Sequence, residues 1–494
     1  MASPLATNHR ARCRDFISVK RLQKVSYRIA GDPKECSSTL SGTSLLLSLV
    51  LVGCAQSSIR VTPPPTETTT AVITKDGATT ERQEDRLLDR VLAGKADEAG
   101  AETLIDAIRK ACPIALLSAG NHVSLLSDGP STFAAYAEAI GKATHHIHLE
   151  TYIFADDQLA KSFAELLAEK SRAGIEVRVL YDGIGSFAAN NDIFETMRAA
   201  GVMVVPFRPP ESLPDVLDGK INNRDHRKLL IVDGRTAFVG GINVSGTYSH
   251  GSSLKPGKEK GLSDGWRDSQ VKLNGPVVAQ LQALFFSTWV RSGGQADASS
   301  TTYFPVPVTA GGSMVAALGS ESGDQSEAAI YAGYLAAIRA ARHQLWITQA
   351  YFVPDQAIRD ELKAAARRGV DTRVLVPGFS DSFLALNAAR AVYGELLASG
   401  VKIYEYDIAF VHAKTLVVDG VVSFVGSANM DMRSLVHNNE VTAVIVDPSV
   451  AADMSSLYLK DLTGATMITL QAWKARSFPQ RVREGFANLF WYWI

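Results

Sequence analysis

Only four cysteines occur in 494 residues (Cys13, Cys36, Cys54 and Cys112), too few and too scattered for a disulfide framework or a metal-ligand spacing. Neither sign of charge prevails. Fifty Lys and Arg stand against 51 Asp and Glu, a net charge of −1, which argues against wholesale nucleic-acid binding. Long apolar runs are also missing. The most apolar stretch, Leu45 to Cys54, falls far short of the roughly 20 residues that a bilayer-spanning helix needs. What remains is an ordinary folded composition, long enough for two or more domains with sizeable cores.

That apolar stretch suits the core of a signal peptide, following a basic segment with Arg10, Arg12, Arg14, Lys20 and Arg21. Leu51-Val52-Gly53-Cys54 resembles the bacterial lipobox, which implies a signal peptide over 1–53 and a lipid-modified Cys54. Residues 55–80, with Pro63-Pro64-Pro65 and a threonine run, have the composition of a polar tether. Residues 81–112 show a helical face (Leu87, Leu88, Val91, Leu92), so 54–112 is expected to be a tether ending in a short helical segment.

Beyond it the chain repeats itself. His226-Arg227-Lys228 is followed by Asp233 and Gly240-Gly241-Ile242-Asn243. His412-Ala413-Lys414 is followed by Asp419 and Gly426-Ser427-Ala428-Asn429. Every matched residue of the second copy lies 186 positions after the first (412 − 226, 414 − 228, 419 − 233, 426 − 240, 429 − 243), the mark of an internal duplication. Whole folding units repeat as well. A strand-like run at 147–154 precedes Asp157 as a helix cap, Leu159, Phe163, Leu166 and Leu167 at helical spacing, Gly174 as a stop, and a strand at 176–181. The second half gives 345–352, Asp355, Ile358, Leu362, Ala365 and Ala366, Gly369, and 372–376 in the same order. Such alternation predicts an α/β sheet with crossover helices, with halves at 113–298 and 299–494. Asp233-Gly234 and Asp419-Gly420 between apolar runs predict tight hairpins, which gives both aspartates a structural reading as turn residues.

Histidine and lysine two apart on a strand share a face. Each copy therefore sets a nucleophile or proton carrier beside a fixed positive charge, and the later asparagine adds a neutral donor. Brought together, two such sets suit a tetrahedral phosphoryl group: lysines and asparagines on its oxygens, one imidazole attacking phosphorus, the other protonating the leaving oxygen. No carboxylate cluster accompanies them, so neither a metal nor another cofactor is called for.

The duplicated His-x-Lys-x4-Asp motif, the second ending in Gly426-Ser427-Ala428-Asn429-Met430-Asp431, resembles the signature of the phospholipase D superfamily. Gly265-Trp266-Arg267-Asp268, Tyr351-Phe352-Val353-Pro354 and Gly400-Val401-Lys402-Ile403-Tyr404 make the likeness greatest to bacterial cardiolipin synthases, over about 113–494. The resemblance implies a duplicated phospholipase D-type α/β sandwich with two pseudo-symmetric halves sharing one active site, and a two-step reaction through a phosphohistidine. Carried onto this chain, it makes His226, Lys228, Asp233, His412, Lys414 and Asp419 the catalytic motif residues. His226 is then the nucleophile and His412 the general acid/base, or the reverse. Asn243, Asn429 and Ser427, with Ser245 a further candidate, bind the phosphate, and Asp268 and Glu440 orient the histidines. Many members carry two transmembrane helices at the N-terminus, where this chain has the candidate lipid anchor.

The expected reaction transfers a phosphatidyl group from one phosphatidylglycerol to another and releases glycerol. Phosphatidylethanolamine is the other candidate partner, and hydrolysis to phosphatidic acid is the alternative reaction. A nuclease is disfavoured by the neutral charge balance, and a non-enzymatic scaffold by two intact motifs. Arg476, Arg481 and Arg483, followed by Phe486, Leu489, Phe490, Trp491, Tyr492 and Trp493, read either as a headgroup-level interface or as a terminal helix docked in the core. Together these features imply a membrane-anchored lipoprotein of the bacterial cell envelope, facing the periplasm.

Overall fold

The computed structural model describes residues 73–79, 81–94, 97–113, 116–209, 222–249, 265–295, 302–321 and 328–494. The expected signal segment, Cys54 and most of the expected tether lie outside these residues.

The sequence duplication reappears as two identical element orders. The first half runs β1 (Ser118–Leu126), α1 (Gly129–Gly141), β2 (His146–Thr151), α2 (Gln158–Arg172), β3 (Glu176–Asp182), α3 (Asn191–Ala199), β4 (Met203–Phe207), β5 (Leu229–Val232), β6 (Thr236–Gly240), β7 (Gln270–Asn274) and α4 (Val277–Arg291). The second runs β8 (Ser313–Ser320), α5 (Ala329–Ala340), β9 (Gln344–Gln349), α6 (Gln356–Arg367), β10 (Asp371–Pro377), α7 (Phe383–Ala398), β11 (Lys402–Tyr406), β12 (Lys414–Val418), β13 (Val422–Gly426), β14 (Glu440–Val446) and α8 (Pro448–Leu462).

The spatial order is β1-β7-β6-β5-β2-β3-β4 in one half and β8-β14-β13-β12-β9-β10-β11 in the other. Only the β2-β3-β4 and β9-β10-β11 stretches are parallel, where α2, α3, α6 and α7 serve as crossovers. Antiparallel pairing of β8 with β1 joins the halves into one sheet. A cluster containing Val239, Val271 and Leu281 with Val425, Val441 and Ile445 packs the halves together.

Local chemistry sets the element ends as expected. Asp157 and Asp355 accept from the N–H groups of Ala160 (2.9 Å) and Ile358 (3.0 Å), capping α2 and α6. Gly174 and Gly369 leave the helices at φ 88° and 92°. The runs 147–154 and 345–352 extend as strands only to Thr151 and Gln349. There the chain turns to make single bridges from Phe154 to Val244 and from Phe352 to Met430, drawing the strand ends toward the asparagine segments.

Asp233-Gly234 (φ 54°, 60°) and Asp419-Gly420 (φ 51°, 64°) take the paired positive φ of a tight hairpin. The Asp233 carboxylate accepts from the backbone N–H groups of Thr144, His145 and His146 (2.8, 2.8 and 2.9 Å) and from the Thr144 hydroxyl. Asp419 does the same for Arg342, His343 and Gln344 (3.0, 2.8 and 2.8 Å). Grouping these aspartates with the catalytic side chains is thereby corrected. Seven extended residues put each roughly 20 Å along the strand from its histidine, where it fastens the hairpin to the start of β2 or β9. Asp233→Ala should cost about 2–4 kcal/mol, because it strips partners from several backbone donors at once. Thermal melts should show that loss while turnover per folded molecule stays within a few-fold. Burial pulls the Asp233 carboxyl up, but the backbone donors outweigh it and hold it below its usual value. Its stabilisation is therefore present above about pH 4 and lost as pH falls through the lowered value.

The segment ahead of the first half is helical as expected, over Glu81–Leu92 and Glu98–Ala111. It is more than the end of a tether: Leu104, Ile105 and Ile108 are buried in a cluster with Ile330, Tyr334 and Phe424 of the second half. At the other terminus the docked-helix reading holds in part. Helix Phe478–Asn488 packs on α7 and buries Ala487, and Trp491, Tyr492 and Ile494 lean on the core, while Phe478, Val482, Phe486, Leu489 and Trp493 stay exposed. No helix among the described residues is long and apolar enough to cross a membrane.

Candidate active site

Each motif histidine stands just before a central strand, β5 or β12, and its segment crosses to the opposite half. His226 N donates to Asn439 O (2.9 Å), and Asn439 N donates to Arg224 O (2.8 Å). Phe410–Val411 pairs in parallel with Trp266–Arg267, and His412 N donates to Arg267 O (2.7 Å). The residue after each of these partners is an acid. The chain leading into each histidine is thus zipped to the chain leading into the other half's carboxylate.

The side chains complete the crossing. His226 Nδ1 lies 2.9 and 3.1 Å from the Glu440 carboxylate oxygens, and His412 Nδ1 lies 2.7 Å from Asp268 Oδ2. A carboxylate accepting from Nδ1–H leaves Nε2 as the basic nitrogen of each ring. The two dyads are built differently. A Cβ on Gly241 would sit 2.3 Å from Asp268 Oδ1, so only glycine lets this shorter acid approach. Its counterpart Ser427 instead donates its hydroxyl to Glu440 Oε2 (2.5 Å) and accepts from Val441 N (3.0 Å). The expected phosphate ligand Ser427 is therefore turned onto the carboxylate that holds His226. Ser245 likewise turns its hydroxyl toward Asp157 (3.3 Å) and caps the short turn at Gly246–Tyr248.

Lys228 Nζ donates back to His226 O (2.5 Å) and lies 5.2 Å from the Tyr152 ring, and Lys414 Nζ donates to His412 O. Both lysines are about 1 % exposed. Burial pushes Lys228 down to about 7 and Lys414 to about 8, with Glu440 and Asp268 pulling the other way. Burial drives His226 well below its ordinary value, helped by Lys228 and Lys414, and brings His412 to about 3, helped by Lys414 and Lys228. Each lysine acts on both histidines, so the two motifs share one pocket. Burial pushes Glu440 up to about 7 against Lys228, whereas at Asp268 the pull of burial is outweighed by the hydrogen bond from His412, the charge of Lys414 and the Ser269 N–H acting together, which keep that carboxyl low.

Asn243 Oδ1 accepts from Ile153 N (3.1 Å), and its Nδ2 donates to Tyr248 OH (3.0 Å), itself 3.3 Å from His412 Nδ1. Buried Asn429 Oδ1 has no hydrogen-bond partner among the described residues. The structure thus gathers both histidines, both lysines, both orienting acids and Asn243, and leaves Asp233 and Asp419 outside.

Sequence reading missed the supports beneath this site. Asp182, at the end of β3, takes Arg224 Nε and Nη2 (3.0–3.1 Å) and the N–H of Asp225 (2.9 Å), fixing the approach to His226. Arg227 points to the far face of its strand and donates to Glu440 O (3.1 Å), Thr288 Oγ1 (2.6 Å) and Ser320 O (2.7 Å). Strand alternation, which sets Arg227 opposite the motif side chains, was the one signal in the sequence, whereas its burial as a fastener between halves is tertiary.

Comparison with known proteins matches the family described as the PLD-like domain of cardiolipin synthase to residues 136–250 and 334–462. A cardiolipin synthase of Geobacillus kaustophilus is 36% identical over 373 residues, covering 76% of this chain and 72% of that protein. One from Halalkalibacterium halodurans is 35% identical over 376 residues, with the same coverage. Among solved structures, a phosphatidylserine synthase of Haemophilus influenzae superposes with a TM-score of 0.57 at 13% identity, over 74% of this chain and 92% of its own, a likeness of fold. With the paired motifs meeting in one pocket and these relatives matched across both halves, the chain belongs to the cardiolipin synthase family of phospholipase D-like proteins.

Proposed function

We propose that the protein is a cardiolipin synthase acting on phosphatidylglycerol through a phosphohistidine. The observation that carries this reading is the pair of histidines, each held at Nδ1 by a carboxylate of the opposite half and flanked by a buried lysine. His226 Nε2 attacks the phosphorus of one phosphatidylglycerol. The bond from phosphorus to the headgroup oxygen breaks, and His412, protonated, gives that oxygen its proton as glycerol leaves. The neutral His412 then takes the proton of the primary hydroxyl of a second phosphatidylglycerol. Its oxygen bonds to phosphorus, the P–N bond breaks, and its electron pair returns to His226. The phosphodiester anion itself favours the protonated form of His412, which the empty pocket disfavours. Lys228, Lys414, Asn243 and Asn429 hold the phosphoryl oxygens, while Ser427 acts through Glu440. Phosphatidylethanolamine is a second candidate partner, and with water as acceptor the same site makes phosphatidic acid. The lipobox-like Leu51 to Cys54 supports a lipid-anchored envelope protein facing the periplasm, with 1–53 removed and 54–112 leading to the two halves.

Mass spectrometry of products from phosphatidylglycerol alone tests the reading: cardiolipin with equimolar glycerol is expected, and phosphatidic acid alone would overturn the synthase assignment. The pH dependence follows from the lysines. Binding an anion needs them charged, so kcat/KM should decline as pH rises through about 7–8. A kcat/KM that climbs across that range would remove the lysines from phosphate binding.

A further inference from the structure

Two loops that the duplication places in matching positions border the histidines. After β3, Ser186 Oγ donates to Tyr152 O (3.1 Å), and a Cβ on Gly185 would meet that carbonyl at 2.3 Å, so the loop lies against Tyr152. The Tyr152 ring is 4.9 Å from His226. After β10, Asp381 accepts from Tyr351 OH (2.6 Å), and the Tyr351 ring is 6.4 Å from His412. Each loop leaves a large apolar side chain in water: Phe187 is 76 % exposed, and Phe383 at the start of α7 is 56 % exposed, beside Leu384 at 38 %. β10 begins 195 positions after β3 (371 − 176), so the counterpart of Phe187 is position 382, next to Phe383.

A lone exposed hydrophobic needs no explanation, but here the exposure recurs at matched places on both sides of one pocket. α7 also carries the terminal helix, whose exposed Phe478, Val482 and Phe486 recur every four residues with Arg481 and Arg483 exposed beside them. The tail's Tyr492 ring lies 5.5 Å from His437, three residues before Glu440. Apolar side chains next to arginines match a bilayer with anionic headgroups.

We infer that the mouth of the site docks on a bilayer containing anionic phospholipid, with Phe187 from one half and Phe383 and Leu384 from the other entering the acyl layer. The inference rests on the lipid-transfer reading and deepens it. A lipid whose chains remain in the bilayer reaches the histidines only when the pocket opens at headgroup level, and an anchor on each half holds both motifs there together.

Hydrogen exchange of the full chain, with and without vesicles of phosphatidylglycerol and phosphatidylethanolamine, tests it without turnover, since His226→Ala protein serves equally. Vesicles should slow exchange across 183–190 and 378–386 and leave the hairpins at Asp233 and Asp419, at the far strand ends, unchanged. Unaltered exchange in both loops overturns the inference. The variant F187S/F383S/L384S should then lose about tenfold of its turnover on vesicles and keep turnover on monomeric short-chain phosphatidylglycerol. Equal turnover on vesicles, or equal loss on both substrates, also overturns it. Protected loops in a protein with no lipid turnover would sink the transfer reaction and leave the docking surface standing.

Discussion

His226→Ala is expected to lower phosphatidyl transfer by roughly 10^4-fold or more, because on the proposed mechanism it removes the atom that would bond to phosphorus. The same loss in His412→Ala would have a different origin, and the leaving group separates the two. A p-nitrophenyl ester departs without a proton. With that substrate, His412→Ala should still release p-nitrophenolate in a burst and accumulate phosphorylated protein, whereas His226→Ala should give neither. A burst in His226→Ala that is absent in His412→Ala would exchange the roles. Bursts in both would end the covalent scheme. The Nδ1 contacts to Glu440 and Asp268 leave Nε2 basic on both rings, so the geometry allows either histidine to attack. The experiment therefore reads the direction of the reaction across a pocket whose halves are nearly equivalent.

Glu440→Gln and Asp268→Asn should each lower turnover by about 10^2- to 10^4-fold with little change in melting temperature. An amide that presents its N–H to Nδ1 forces the ring proton to Nε2, where it blocks both attack and proton transfer. The crossing of the dyads gives an unusual pattern. Glu440→Gln, a change in the second half, should slow formation of the phosphorylated His226 of the first. Asp268→Asn should instead spare formation from an activated ester and slow breakdown at the step that needs His412. Gly241→Ala should resemble Asp268→Asn, since the added methyl meets the Asp268 carboxylate. Turnover within tenfold of the parent in both acid variants would reduce these contacts to packing.

What the sequence disclosed is what repeats locally. The equal spacing of His226 and His412, the caps Asp157 and Asp355, the stops Gly174 and Gly369 and the Asp-Gly turns depend on neighbours a few residues away, and all lie where the pattern puts them. The partners of the histidines depended on pairing across 144 and 214 residues, which no local pattern encodes. Asp268 and Glu440 could be named as candidates, but the exchange between halves could not. Ser427 shows the same limit: a hydroxyl beside a motif asparagine suggested a phosphate ligand, and only the fold reveals the carboxylate behind it. The buried pair of Arg224 with Asp182 and the docking of helix Glu98–Ala111 on the second half escaped notice because both are tertiary.

The exchange of carboxylates also bears on ancestry. A single unit of this kind holds a histidine whose acid it cannot supply and an acid whose histidine lies elsewhere, so alone it completes no dyad. Two copies facing each other complete both at once. The duplicated chain thus has the arrangement that fusing a self-complementary dimer into one polypeptide would give, with the two sides now unlike: Gly241 with Asp268 on one, Ser427 with Glu440 on the other. Separated halves would each be silent, and mixing them would restore both dyads or neither.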